Sequence, residues 1–267
     1  MIINRSFKEF KLQHRSKKNQ IIYSSKKVQS DKEVLNLIDN FLIEKNSFIF
    51  ESVEKGKIKG RYTIFGKNPD KIWEFNNNNS FLIKNNKKVK LKEKPQILIE
   101  NIIEDFKFKI PSGLPSIASL ISGYFSYDTI RYIENIPNKC KDDLKVPDVR
   151  LLRPRILVIH DNLKKKIFYI VNIFKDEKIS NYPKKYLGIK SELSKLFTQS
   201  LKAKDKTTNE KKLAKINVKS NTSKNKFLSM VNKAKKYIKI GDIFQVVLSQ
   251  RFETKLTKKP LDIYKKL

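Results

Sequence analysis

Residues 155–173 read RILVIHDNLKKKIFYIVNI and give the clearest indication of the fold class. Two apolar runs, residues 155–161 and 166–173, are separated by the polar residues 162–165. Runs of this length, rich in β-branched and aromatic residues and joined by a polar turn, are typical of two strands connected by a short loop. The first run is apolar on both faces at its centre, which predicts a strand buried on both sides of a sheet.

The rest of the chain alternates between helical and strand-like patterns. Apolar residues at helical spacing predict helices over residues 31–44, 97–106, 128–134, 187–197 and 224–240, and another that begins at Leu261. Apolar runs of strand length predict strands at residues 47–53, 61–65, 72–75, 81–83 and 243–252. Gly66 and Pro69 are predicted to end the second of these strands, and the asparagine run at residues 76–79 to form the turn between the strands at residues 72–75 and 81–83. Ser223 is predicted to cap the last complete helix and Gly241 to end it. Residues 1–30 are polar and basic, with only a short apolar patch.

The strand predicted at residues 243–252 (IFQVVLSQRF) contains one polar side chain in an apolar centre, that of Gln245. Apolar residues occupy both faces of this run, which is typical of a buried strand. A buried amide without a hydrogen-bond partner costs about 1–3 kcal/mol. The pattern therefore predicts that Gln245 is buried and has a specific partner.

Length and composition limit the classes of protein that fit. The 267 residues are 39% hydrophobic and 10% aromatic, which favours a globular protein with one large or two ordinary domains. No apolar run reaches the ~18 residues of a membrane span, and the N-terminal segment lacks the apolar stretch of a secretory signal. Cys140 is the single cysteine, which excludes an internal disulfide. Together these features favour a cytoplasmic protein that does not enter a membrane.

The formal net charge of +32 raises nucleic-acid binding as an alternative. Of the 59 basic residues, 51 are lysine and eight are arginine, and they are spread along the whole chain rather than gathered beside aromatic residues. Zinc-finger, helix-turn-helix and RNP motifs are absent from the sequence. The pattern favours a solvated, lysine-rich surface, and nucleic acid is not expected as a partner.

Three segments resemble the anthranilate synthase component I family in their order and spacing. The first is Phe50-Glu51-Ser52, followed by residues 60–66 (GRYTIFG). The second is residues 123–128 (GYFSYD), followed by Arg131-Tyr132, Asp148 and Arg153-Pro154. The third is residues 234–238 (AKKYI), followed by residues 241–252 (GDIFQVVLSQRF). The third segment is the most specific, because so long a matching run is hard to reach by chance.

The resemblance implies an α+β fold, built as a helix-flanked antiparallel β-sandwich. It implies an N-terminal regulatory domain at residues 20–175, a connector at residues 176–222 and the start of a chorismate-binding catalytic domain at residues 223–267. The high charge of residues 198–222 is typical of such an exposed connector. Leu267 falls inside an amphipathic pattern, so the chain is expected to be a fragment that is inactive alone.

The resemblance also implies a reaction and its partners. Chorismate and ammonia would give anthranilate and pyruvate, with Mg²⁺ as cofactor and tryptophan as feedback inhibitor. A glutamine amidotransferase subunit, component II, would supply the ammonia. The Mg²⁺ ligands, the catalytic histidine and most chorismate contacts are expected in a C-terminal half that follows Leu267.

Three residues are candidate ligand contacts on this chain. Glu51 and Ser52 lie where the family binds tryptophan, and a carboxylate and a hydroxyl suit the polar end of an amino acid. The alternative for both is a hydrogen bond to local backbone. Gln245 is expected to line the pocket where the nucleophile arrives, since a neutral amide cannot take a proton from water and the water-adding members look to have lysine there. Its alternative is a structural hydrogen bond in the core.

For the remaining candidate residues, a structural role is the favoured interpretation. Arg61 and Arg131 could each pair with a carboxylate through two hydrogen bonds, and for Arg131 an ion pair with Asp128 or Glu134 is favoured. His160 is expected to be a hydrogen-bonded core histidine. No pair of carboxylates has a spacing that suggests a metal site. Two other functions stay open: aminodeoxychorismate synthase component I, which shares the glutamine, and a tryptophan-binding regulatory module without catalysis.

Overall fold

The structure is a computed structural model. It describes residues 2–42, 44–51, 60–138, 142–201, 217–256, 258 and 260–264. The chain divides into two compact units: unit 1 extends from Met1 to Asp205 and unit 2 from Lys206 to Leu267. The predicted domain limits at residues 175 and 222 stay predictions.

Eight strands of unit 1 form one antiparallel sheet. They are β1 (Gln20–Lys27), β2 (Phe48–Phe50), β3 (Tyr62–Asn76), β4 (Asn79–Lys84), β5 (Lys87–Leu91), β6 (Ser122–Phe125), β7 (Val149–Asp161) and β8 (Lys166–Ile173). The order is β1-β8-β7-β3-β4-β5, with β2 paired to β3 and β6 paired to β7. The mixture of helices with an antiparallel sheet confirms the α+β class, and the face-to-face packing of a sandwich stays a prediction.

Four helices of unit 1 accompany the sheet: α1 (Phe7–Arg15), α2 (Lys32–Phe41), α3 (Pro95–Asp105) and α4 (Tyr182–Leu201). Two 3-10 segments lie at Ser116–Ala118 and Tyr127–Tyr132. The start of α1 is fixed by a capping box, because Ser6 Oγ accepts the N–H of Glu9 at 3.3 Å and the Glu9 carboxylate accepts the N–H of Ser6 at 2.7 Å. Neither α1 nor the full length of β1 was predicted.

Two tight turns, at opposite ends of β4, depend on asparagine. Asn77 and Asn78 join β3 to β4 with φ of 47° and 59°, and Asn85 and Asn86 join β4 to β5 with φ of 50° and 60°. Two consecutive residues at positive φ give the type I′ turn, whose twist matches that of the flanking strands. Asparagine tolerates this conformation better than most residues. The turn predicted in the asparagine run is therefore confirmed.

The prediction that β3 ends at Gly66 and Pro69 is wrong. The strand continues for 15 residues because a shift in its pairing with β7, between Pro69 and Lys71, accommodates the irregular backbone. Asn68, just before the proline, has a φ of 52°. Gly66 lies within the strand, where the ring of Phe48 packs directly over it. Phe48 Cζ is 2.0 Å from where a Cβ would stand, so the position requires a residue without a side chain.

The long strands β3 and β7 contribute to two apolar clusters of the core. One consists of Ile21, Ala118, Leu157, Ile159, Phe168 and Ile170. The other consists of Trp73, Phe75, Ile102, Tyr132, Val149 and Leu151. On the other side of the sheet Phe41 of α2 packs on Phe65, with ring centres 5.7 Å apart. The centre of the first predicted strand is thus buried as predicted, with Leu157, Val158 and Ile159 at 0% exposure.

One side chain closes the outer edge of β1. Asn4 Oδ1 accepts the N–H of Tyr23 at 2.7 Å, and Asn4 Nδ2 donates to the carbonyl of Ile21 at 3.3 Å. The backbone N–H of Asn4 also donates to the carbonyl of Tyr23 at 3.1 Å. A single residue therefore bonds to three outward-facing polar groups of this strand, at Ile21 and Tyr23.

Unit 2 contains the two-stranded sheet of β9 (Val218–Ser220) and β10 (Phe252–Thr254), with the helices α5 (Lys224–Lys239) and α6 (Pro260–Tyr264). Ser223 caps α5 by accepting the N–H of Lys226 at 3.3 Å, and Gly241 follows the helix with a φ of 82°. Both signals were predicted. The connector predicted at residues 176–222 contains all of α4, whose Leu193 and Leu196 are buried, and all of β9. Residues 202–216 lie outside the described residues.

Candidate functional site

The first motif lies where β2 ends and β3 begins. Phe50, the last residue of β2, pairs with Ile64 of β3, so Glu51 leaves the sheet beside the start of β3. Glu51 is exposed and belongs to no regular element. Ser52, the other predicted tryptophan contact, lies outside the described residues. The tryptophan-binding role of both residues stays a prediction.

Arg61, just before β3, is held by two hydrogen bonds to one carboxylate. Its Nε donates to Asp161 Oδ1 at 3.1 Å and its Nη2 donates to Asp161 Oδ2 at 2.8 Å. The guanidinium carbon also lies 4.8 Å from the ring centre of Tyr62. The prediction that Arg61 pairs with a carboxylate through two bonds is confirmed, and the carboxylate is supplied by this chain.

Asp161 fixes this end of the sheet. Its side chain is 1% exposed, and its Oδ1 also accepts the N–H groups of Leu163 at 3.1 Å and Lys164 at 3.0 Å. Burial by itself raises the pKa of Asp161, but the bonds from Arg61 and Lys164 outweigh burial and leave the pKa below its ordinary value. The entry of the chain into β3 is therefore held by a carboxylate that is ionised at neutral pH.

His160 is buried next to Asp161 without a hydrogen bond. It is 3% exposed, and neither ring nitrogen has a partner among the described residues. Burial, together with the positive charge of Lys165, lowers the pKa of His160. The imidazole is therefore neutral at pH 7. The predicted burial of His160 is confirmed, and the prediction that it is hydrogen-bonded is wrong, because no described donor or acceptor lies within hydrogen-bonding distance of either ring nitrogen.

The second motif is tied together by Asp148. Its Oδ2 accepts the O–H of Tyr132 at 2.7 Å and the N–H of Asn77 at 3.0 Å. Its backbone carbonyl accepts the N–H of Ser126 at 2.7 Å. These bonds link the turn after β3, the end of β6 and the 3-10 segment, so the aspartate has a structural role.

Arg131 in the same motif forms the ion pair that was predicted. Its Nε lies 2.8 Å from Asp128 Oδ1, and its Nη1 donates to the carbonyl of Ile136 at 2.8 Å. The guanidinium therefore fastens the chain that follows the 3-10 segment.

Arg153 lies at the centre of a buried charge network. Its Nε and Nη2 donate to Asp70 at 2.8 and 2.5 Å, and Nη2 also lies 3.0 Å from Asp176. Burial raises the pKa of Asp176, but Lys71 at 2.5 Å and Arg153 outweigh it and lower the pKa to about 2. The guanidinium carbon lies 3.8 Å from the ring centre of Phe174. Sequence reasoning missed both aspartates, because Asp70 lies at the pairing shift in β3 and Asp176 follows β8, and neither position is marked by residue spacing.

The third motif continues from α5 as a segment without regular structure. Gln245 is exposed, Phe244 is 101% exposed and Val247 is 80% exposed. The predictions that residues 243–252 form a strand buried on both faces and that Gln245 is buried with a partner are wrong. The described residues provide no strand beside residues 243–251, and regular pairing begins only at Phe252. The pocket-lining role of Gln245 stays a prediction.

A family model described as chorismate binding enzyme matches residues 45–267, which include all three motifs. The chain belongs to the chorismate-binding enzyme family. Its match to this family begins before β2 and runs through both units.

Several known chorismate-binding enzymes are similar to this chain. It is 34% identical, over 92% of its length, to anthranilate synthase component 1 of Acetivibrio thermocellus, and covers 51% of that protein. It is 28% identical, over 98% of its length, to anthranilate synthase component 1 of Cereibacter sphaeroides, and covers 53% of that protein. The crystal structure of anthranilate synthase component I from Streptococcus pneumoniae TIGR4 has the same fold, with a TM-score of 0.62 and 24% identity, over 84% of this chain and 48% of its own. The chain spans about half the length of the curated relatives it matches.

The Mg²⁺ implied by the resemblance stays a prediction. Among the described residues, no three histidine, cysteine, aspartate or glutamate side chains are grouped to hold a metal ion. The carboxylates of Asp70, Asp161 and Asp176 are each engaged by arginine or lysine, whereas Mg²⁺ needs oxygen ligands free to face it. No helix of the described segments has the length and apolar character to span a membrane.

Proposed function

We propose that this chain supplies the N-terminal part of an anthranilate synthase component I. The complete enzyme removes the hydroxyl group of chorismate, adds ammonia and then eliminates pyruvate to leave anthranilate. The main support is the extent of the similarity, since relatives with that name match 92% and 98% of the chain. Mg²⁺ belongs to the proposal, with ligands outside the described residues, as does a glutamine amidotransferase subunit that delivers ammonia.

We assign Gln245 to the wall of the pocket that the incoming ammonia reaches. A neutral amide can orient ammonia by hydrogen bonds but cannot activate water as a base. Phe244 and Val247, on either side of it, expose apolar surface to water in the described chain, which is unfavourable. We infer that these side chains become buried when the part of the family that this chain does not span packs against them.

Complementation tests this proposal. The chain is mixed with a separately produced C-terminal half of the Acetivibrio thermocellus enzyme, and anthranilate fluorescence is followed with chorismate, ammonia and Mg²⁺. We expect no product from either part alone and product from the mixture. Activity of the chain alone, or the lack of activity in a mixture whose two parts bind each other, contradicts the proposal.

A matched pair of variants tests the role of Gln245. Gln245→Lys places a cation where ammonia is expected and should reduce the ammonia-dependent rate of the mixture by on the order of a hundredfold. Gln250→Lys makes the same change five positions further along, at another exposed glutamine, and should leave the rate within about threefold. Equal losses in the two variants would remove Gln245 from the pocket.

Tryptophan feedback is the second part of the proposal. Because further tryptophan contacts of the family are expected after Leu267, calorimetry on the mixture of the chain with the C-terminal half measures tryptophan binding. Replacing Ser52 by alanine or Glu51 by glutamine should weaken binding by on the order of tenfold, because each removes a hydrogen bond to a charged group. The exposed residues Ser229 and Glu104 provide the same substitutions elsewhere, and these should have no effect. If tryptophan binds all four variants equally, the site lies elsewhere.

Glutamine dependence tests the partner. The complemented enzyme should use ammonia without help and should use glutamine only after an amidotransferase subunit is added. Glutamine-dependent anthranilate formation without that subunit would refute this part of the proposal.

A further inference from the structure

The strand β5 ends the sheet opposite β1 and has a free edge. It pairs with β4 on one side, and no other described strand pairs with it. Its outward-facing N–H and C=O groups can therefore bond to a further strand. Asn4 closes the edge of β1, but no described side chain bonds to the backbone of β5 in this way.

Lysines surround this free edge. Six exposed lysines lie within residues 84–94: Lys84, Lys87, Lys88, Lys90, Lys92 and Lys94. The one acidic residue in that range is Glu93. Successive side chains of a strand point to opposite faces, so lysines flank the edge of β5 on both faces of the sheet.

Most of this positive charge is not neutralised within the chain. Lys88 pairs with Glu74 at 2.7 Å, whereas the other five lysines have no ion pair with a described residue. Lys84 and Lys87 face each other directly across the hairpin, which is unfavourable for two like charges. A bound anionic group would relieve this repulsion.

The free edge of β5 and its lysines together determine which kind of strand can pair with it. Two copies of this edge repel each other, which is one way proteins prevent edge-to-edge aggregation. An acidic strand meets no such repulsion, because its carboxylates pair with the lysines while its backbone pairs with β5. We propose that β5 is a docking edge for an extended acidic segment of a partner protein, which binds by adding a strand to the sheet.

A single-stranded nucleic acid fits this surface less well. Such ligands need open aromatic rings on which bases stack, and the ring of Phe81 beside β5 is covered by the ammonium of Lys88 at 4.5 Å. The hydrogen-bonding groups along a strand edge match those of a polypeptide backbone. The edge therefore favours a peptide.

Fluorescence anisotropy of a labelled peptide tests the proposal with the full chain. The probe is a peptide of about ten residues, alternating glutamate and threonine, long enough to pair along a typical strand. We expect saturable binding that weakens by on the order of tenfold when salt rises from about 50 to about 200 mM. Hydrogen exchange of the β5 amides should slow when the peptide is added. The absence of saturable binding at low salt overturns the proposal.

Two controls separate strand addition from simple charge attraction. A peptide of the same sequence, N-methylated at every residue, keeps its charge but has no backbone N–H to donate along either edge, and should bind at least about tenfold more weakly. If it binds as well as the unmodified peptide, or if single-stranded DNA slows exchange of the β5 amides equally, the surface is a general anion site and the proposal is overturned.

Paired charge reversals locate the site. Lys87→Glu with Lys90→Glu should weaken peptide binding by on the order of tenfold, whereas Lys184→Glu with Lys195→Glu, on exposed positions of α4, should change it less than about twofold. Unchanged emission of the buried Trp73 verifies that each variant is folded. Equal losses in the two double variants contradict a site at β5.

Discussion

Units 1 and 2 each contain a long apolar run, and the two runs differ completely in burial. In unit 1, Leu157 and Ile159 of β7 are 0% exposed, because neighbouring strands pair on either side and Ala118, Phe108 and other apolar side chains pack over them. In unit 2, Phe244 and Val247 are 101% and 80% exposed, and no described residue of the unit is fully buried. An apolar run thus shows that a segment is suited to burial, and the elements around it decide whether it is buried.

The largest expected effect comes from truncating the core of unit 1. Leu157→Ala should lower the free energy of unfolding of unit 1 by about 2–5 kcal/mol, because it leaves a cavity among Ile159, Phe168 and their neighbours. Val247→Ala in unit 2 should change stability by less than about 0.5 kcal/mol, since water already reaches that side chain. Denaturant unfolding followed by the emission of Trp73, the single tryptophan, reports on unit 1, and circular dichroism includes both units. Similar losses of stability in both variants would contradict the difference in burial between the two apolar runs.

The next effect concerns the arginines of the two units. Arg153→Met in unit 1 leaves Asp70 and Asp176 without their shared partner and should cost about 2–4 kcal/mol. Arg251→Met in unit 2 removes an ion pair with Glu253. The side chains of Arg251 and Glu253 are 40% and 61% exposed, so the substitution should lower the free energy of unfolding by less than about 1 kcal/mol. The same unfolding measurements compare them, and a cost for Arg251 as large as that for Arg153 would contradict the contrast.

Acid should weaken unit 1 through His160. The pKa of His160 is lowered in the folded chain, so below the ordinary value of about 6.5 the unfolded chain binds a proton that the folded chain does not. Stability should be constant above that pH and fall by up to about 1.4 kcal/mol per pH unit below it. Asp31, Glu33 and Asp161 act in the opposite direction but do not offset burial and Lys165.

A substitution isolates this histidine. His160→Leu should remove the pH dependence between about pH 5 and 6.5, because carboxylates with lowered pKa values such as Asp176 lose their contribution only below the ordinary carboxyl pKa of about 4. Unit 2 contains no histidine, so its helix signal should not change in that range. A slope that persists in the variant would assign the effect to another group.

The smallest effects come from two glycines. Gly241→Ala, at a φ of 82° after α5, should destabilise the end of that helix by about 1 kcal/mol. Gly188→Ala, inside α4 with open space around it, should stabilise unit 1 by about 0.5–1 kcal/mol. Circular dichroism measures the first and Trp73 emission the second. Effects of the same sign would show that local backbone conformation does not control these two positions.

Local signals predicted much of the fold. Ser223 and Gly241 marked both ends of α5, the asparagine run marked a hairpin, and residues 155–173 marked the central strands. Each of these features depends on neighbours in sequence. The helix α1 could also have been found, since Ser6 and Glu9 have the spacing of a capping box.

Features set by distant residues could not be predicted in the same way. The continuation of β3 through Pro69 depends on its pairing with β7, and the contact of Arg153 with Asp70 depends on that same pairing. The burial expected for Gln245 failed for a related reason, because a strand pattern specifies no partner. Arg61 was singled out correctly as a carboxylate partner, but its partner, Asp161, lies 100 positions away.

Asn4 makes the sheet sensitive to the loss of a few N-terminal residues. Its single side chain supplies two of the three hydrogen bonds on the edge of β1, and β1 has no row of outward charges comparable to that of β5. A protease that trimmed the first five residues would expose this strand without opening the core. The trimmed protein would keep its fold but expose a strand edge that can pair with the same edge of another copy. Size-exclusion chromatography would then show slow self-association in place of a single species.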